Sequence, residues 1–160
     1  MKKINNILVA VCLSAIVMQA HADGRFVSLK KDEVNLRTGP GERYPILWVY
    51  QERGYPVKVL DEFDIWRQVQ EADGSIGWVH KNMLSDRRTA LVQEEGPLTN
   101  KPDINARTVA VVQTGTIGKI LQCPAETPYC LLSFHYQQRD IKGWFPRDSF
   151  WGVDSGEEIN

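Results

Sequence analysis

Along residues 26–80 apolar and polar positions alternate in short runs, and no stretch sustains a helical period. FVSLK (26–30), VNLR (34–37), ILWVYQ (46–51), PVKVL (56–60), IWRQVQ (65–70) and IGWVH (76–80) have the period of two and the β-branched and aromatic content of strands. Between them stand TGPG, ERG, DEFD and EADGS, all turn chemistry. KNML (81–84) fits one helical turn. In VNLR the alternation puts Val34 and Leu36 inward, Asn35 and Arg37 outward. TGPG must then turn the chain, with glycines able to take positive φ and proline fixing its own. Short strands at this spacing predict an all-β fold, a small barrel or sandwich.

The layout then returns. Gly77-Trp78 is echoed by Gly143-Trp144, RGYPVKVL (53–60) by TGTIGKIL (114–121), and LRTGP (36–40), less clearly, by LTNKP (98–102). SDRR (85–88) and QEEG (93–96) bracket TALV, a strand expected between the halves. The expected division is 25–88 for the first barrel, 89–153 for the second, and 154–160 for an acidic tail, DSGEEIN, whose composition favours disorder.

VNLRTGPG, then WVYQERGYPVKV, IWRQV and DGSIGWVHKNML, resemble a bacterial SH3-like domain. With Cys123, Cys130, GWFPRDSF and the closing WGV (151–153) the chain resembles, over residues 26–153, the tandem SH3-like proteins of Gram-negative bacteria. The resemblance implies two SH3-type β-barrels in tandem and a periplasmic or extracellular place. Related domains often bind cell-wall peptides or target a wall enzyme; the resemblance supplies no ligand.

The N-terminus points to the same compartment. Lys2 and Lys3 precede an apolar run from Ile7 to Met18, and Ala20-His21-Ala22 follows with small residues where a signal peptidase reads. Residues 1–22 read as a signal peptide cleaved after Ala22, the run being shorter than the roughly twenty residues of a membrane span. Val11 before Cys12 argues against lipidation. No later stretch could span a membrane. The formal net charge is −1, and two of the lysines fall in the cleaved segment, so nothing favours nucleic acid. Cys123 and Cys130, in an oxidising compartment, read as a disulfide around CPAETPYC; the rival is half a zinc site completed by His135, which lacks a second ligand pair.

No catalytic machinery is expected. There is no HExxH, GxSxG or phosphate-binding glycine loop, and a Cys–His peptidase needs a thiol that the disulfide would consume. His80 reads as a surface histidine, and Asp61, Glu62 and Asp64 as a solvated turn rather than a calcium loop. No cofactor and no metal are expected. Aromatic residues carry the binding signal, because they give large contact area at low entropic cost. Parity in ILWVYQ separates Leu47 and Val49 from Ile46, Trp48 and Tyr50, and Trp66 falls off the face of Ile65 and Val69. Trp48, Tyr50 and Trp66, with Tyr44 nearby, are therefore candidates for an outer apolar surface. That surface is either covered by the second barrel or open as a peptide groove. Arg37, beside TGPG, either meets a ligand carboxylate or bonds its own loop. Trp78 and Trp144 read as structural, and Trp151 as a plug for the second barrel.

The function expected is a non-catalytic binding module for peptidoglycan peptide or a wall-associated periplasmic protein. The alternatives are a structural or interaction subunit and a regulator of a wall hydrolase.

Overall fold

Val34 and Leu36 are buried, and Asn35 and Arg37 between and after them are half-buried, as the alternation of VNLR requires. The computed structural model describes residues 24–160, so the expected signal peptide lies outside the described residues. The first sheet contains β1 (Arg25–Leu29), β2 (Val34–Arg37), β3 (Ile46–Tyr50), β4 (Pro56–Phe63), β5 (Trp66–Gln70), β6 (Ile76–His80) and the short β7 (Leu84–Ser85). The second contains β8 (Thr89–Val92), β9 (Gly96–Thr99), β10 (Thr108–Val112), β11 (Ile117–Gln122), β12 (Tyr129–Tyr136), β13 (Arg139–Pro146) and β14 (Phe150–Trp151). A single 3-10 turn precedes the last strand of each, Lys81–Met83 and Arg147–Ser149. The first turn is the one expected at KNML.

Strand order is β3-β2-β6-β5-β4-β1-β7 in one sheet and β10-β9-β13-β12-β11-β8-β14 in the other, the same path traced twice. Each sheet encloses its own apolar cluster, one around Val27, Leu36, Val57, Val69 and Val79, the other around Leu98, Leu132, Phe134 and Phe145. Neither closes as a barrel in its hydrogen bonding, because β3 and β7, like β10 and β14, are unjoined ends. The echoed Gly-Trp pairs have a packing reason. A Cβ on Gly77 would lie 2.5 Å from Leu36 Cγ, and one on Gly143 2.6 Å from Leu98 Cγ. Each glycine thus lets a core leucine from the neighbouring strand press on β6 or β13.

TALV is a strand, as expected, and it opens the second sheet, paired with β11 and β14. Three local expectations are revised. DEFD turns only at its last residue: β4 runs on through Asp61, Glu62 and Phe63, and the reversal falls at Asp64, whose φ is 51°. Neither glycine of TGPG takes positive φ. Gly39 is needed for space, since its Cβ would stand 2.5 Å from the Tyr44 ring. The tail is ordered. Cys123 and Ile159 exchange backbone hydrogen bonds, and Arg147 donates to the carbonyls of Glu157 at 2.7 Å and Asp154 at 3.3 Å. Arg147, from the second 3-10 turn, thus helps to organise a segment whose composition alone favours disorder.

The tail also ties the sheets together. Lys58 of β4 bonds Asp154 at 2.6 Å, and Arg88 forks onto the Glu157 carboxylate while donating to Gly152 O at 2.8 Å. Thr89 Oγ1 donates to Gly54 O at 2.6 Å. Trp151 meets Phe26 edge-on, ring centroids 4.8 Å apart, so it covers the seam rather than plugging its own sheet. Burial works against the Glu157 charge, but Arg88 and the Asp154 N–H outweigh it and hold the carboxyl below its ordinary range. Trp48 and Trp66 take no part in this seam.

Candidate functional site

The loop after β2 is held from inside by Arg37. Its Nη1 donates to Tyr44 O at 2.9 Å and Glu42 O at 3.0 Å, the loop bond anticipated as one of its two roles. Its other nitrogens make no hydrogen bond to the described residues. The guanidinium is thus pinned at one corner and stands in the wall of a cleft of about 370 Å³. Asn35, two residues earlier on the same face of β2, lies beside it, and Glu33 and Glu42 supply acidic groups. Asn82 and Met83 come from the 3-10 turn.

Trp66 and His80, paired across β5 and β6, meet in this cleft with ring centroids 5.5 Å apart and planes 75° apart. Trp66 lies off the core face that Val69 occupies, as parity requires, yet it is only 8% exposed. Strand alternation says which face a side chain takes and nothing about what else lies over it. His80 is half-buried, not a free surface histidine. Its Nδ1 accepts from the Asn82 N–H at 3.1 Å, which leaves Nε2 as the ring's donor.

Trp48 and Tyr50 do not line the cleft. Tyr50 belongs to the apolar core, 9% exposed, and so is not on an outer surface. Trp48 is 38% exposed on the edge strand β3. The candidates therefore divide. Arg37 and Trp66 meet in the cleft, Tyr44 contributes its carbonyl and packs on the loop glycines, and Trp48 and Tyr50 stand at another corner beside Glu71.

Glu71 carried no functional reading, because EADGS looks like an ordinary turn. Its backbone does close that turn, the N–H donating to Ser75 O at 2.9 Å, while the residue is only 6% exposed. The Tyr50 hydroxyl and Glu71 Oε1 are both buried without a well-formed hydrogen bond. Burial raises the Glu71 carboxyl above its ordinary range, Tyr50 works partly against this, and Asp73 adds to the rise. Burial and then Glu71 push the Tyr50 phenol upward. A carboxyl with a raised folded value favours the protonated native state, so stability falls as pH climbs from the ordinary carboxylate range through that value. Glu71→Gln is expected to stabilise the protein at neutral pH, with the gain shrinking as the medium becomes acidic. Urea denaturation across pH checks this, and an unaltered profile in the variant would count against it.

The residues walling the cleft all fall between positions 33 and 83. Residues 30–86 match the family model of the bacterial SH3 domain. This SH3 segment runs from the end of β1 to β7 and encloses the whole cleft. No curated protein matches the chain. Among solved structures the chain is similar to NlpC1 from Trichomonas vaginalis, with 13% identity over 91% of this chain and 51% of that one, at a TM-score of 0.38. It is also similar to NlpC2 from the same organism, with 12% identity over 81% and 48% and a TM-score of 0.36. The chain spans about half the length of each. No helix among the described residues is long and apolar enough to cross a membrane.

Proposed function

We propose that the protein is a non-catalytic, extracytoplasmic binding module, built as two SH3-like units at 25–88 and 89–153 with the 154–160 tail strapping them together. Its ligand is peptidoglycan peptide or a wall-associated protein, taken up in the cleft of the SH3 segment. The observation that carries the reading is Arg37, pinned through Nη1 in the cleft that Trp66 also lines, with its remaining nitrogens unspent. A guanidinium fixed in this way loses little freedom when it meets a carboxylate, and wall peptides carry such groups. Asn35, Asn82 and His80 Nε2 would address the peptide backbone. The Cys123–Cys130 bond fits an oxidising compartment outside the cytoplasm.

Co-sedimentation with insoluble peptidoglycan tests the reading. Arg37→Ala is expected to weaken binding by about 2 kcal/mol, roughly thirty-fold. Arg37→Lys, which keeps charge but not the fork, should fall between. Trp48→Ala, outside the cleft, should bind as wild type does. Equal binding by wild type and a folded Arg37→Ala variant would remove Arg37 from the site, and no binding by wild type would remove the wall ligand.

A further inference from the structure

The two sheets end in edge strands that differ in bulk. Leu36 pairs with Trp48 as Leu98 pairs with Ala110, and Val34 with Tyr50 as Gly96 with Val112. The Leu29 N–H donates to Tyr55 O at 3.0 Å just as the Val92 N–H donates to Thr116 O at 3.0 Å. Trp48, Tyr50 and Tyr55 thus correspond to Ala110, Val112 and Thr116. In the first sheet the aromatics fill their corner, Tyr50 and Tyr55 having ring centroids 5.4 Å apart. In the second, the small residues leave an open cleft of about 450 Å³, walled by Leu98, Ala110, Val112, Phe134 and Ile141. Glu95 lies at its rim and no lysine or arginine lines it.

The same chain carries a matching surface. On β3, Ile46, Leu47, Trp48 and Val49 are 46%, 43%, 38% and 40% exposed. The strand pairs only with β2, and it contains neither the charge nor the proline that usually guards an edge. Arg43 and Arg53 flank it, both exposed, each next to an exposed glutamate, Glu42 and Glu52.

We propose that β3 of one copy adds to the open edge of β10 on a second copy, seating its apolar side chains in the cleft with Arg43 or Arg53 toward Glu95. Pairing of β3 with β3 would set bulk against bulk and leave the cleft unfilled. Each copy carries one bulky edge and one cleft, so the contact is heterologous and builds a ring or an open chain. The Arg37 cleft is not involved, so this contact stands or falls separately from wall binding.

Sedimentation velocity on the protein as isolated, from low to high micromolar concentration, tests this. Wild type should form species larger than the monomer as concentration rises. Leu47→Lys and Val111→Lys, at positions 43% and 63% exposed, should each be folded monomers. Mixed in equal amounts they should pair, because one retains the cleft and the other the bulky edge, and the pair should not grow. A monomeric wild type would overturn the proposal. So would association that survives Val111→Lys, or a mixture that stays monomeric.

Discussion

Gly152→Ala is expected to destabilise the protein by about 3 kcal/mol or more, the sum of a strained backbone and a core overlap. Gly152 has φ of 138°, and a Cβ there would lie 2.1 Å from Thr89 O, 3.1 Å from Thr89 C and 3.2 Å from Ala90 Cα. All three are backbone atoms of β8, so no rotamer change relieves the overlap. The strand β14 must leave β8, which removes the Phe150–Val92 and Trp151–Leu91 pairing. Trp151 would then lose Phe26, and Arg88 would lose the Gly152 carbonyl, so the damage reaches the seam between the sheets. Gly74 isolates the backbone contribution. Its φ is 87° with nothing within 4 Å of an added Cβ, so Gly74→Ala should cost only about 1–2 kcal/mol. Urea denaturation of the two variants checks the contrast, and equal midpoints would contradict the packing argument.

Removing the disulfide is the other large effect. Cys123 and Cys130 are bonded, seven residues apart in sequence, and both are fully buried in the second core. Chain-entropy reasoning for so short a loop gives about 2.5 kcal/mol. The double change to alanine avoids placing hydroxyls without partners in that core. The loss should spread to the tail, because Cys123 holds Ile159 by two backbone hydrogen bonds of 2.7 and 3.1 Å. Backbone hydrogen exchange should therefore quicken at Ile159 and Cys123 but not in the first sheet. Unchanged stability and exchange would mean that the bond is incidental to the second sheet.

Period-two alternation located VNLR and IGWVH to the residue, because each strand has a buried face and a wetter one. The second sheet was legible through echoes of the first, such as Gly143-Trp144 after Gly77-Trp78, rather than through its own alternation. Alternation could not show that β4 continues through the charged residues Asp61 and Glu62, since these stand outward and cost nothing in solvent. Nor could it show order in DSGEEIN, which depends on Arg147, Arg88 and Lys58, residues distant in sequence. At the candidate site, the outward direction of Asn35 and Arg37 was legible. The partners of Trp66 were not, because His80 and the turn at 81–83 approach it from another part of the chain. Glu71 was invisible for a related reason: a turn composition is silent on whether a neighbouring sheet edge buries the turn.

The proposed site for a wall peptide is the cleft that Arg37 and His80 line. Titrating the isotopically labelled protein with a soluble peptidoglycan stem peptide, followed by backbone and indole NMR shifts, tests that directly. Asn35, Arg37, Trp66, His80 and Asn82 should shift together and saturate, while Trp48 and Val111 stay still. Shifts confined to other residues, or none at saturating peptide, would contradict it.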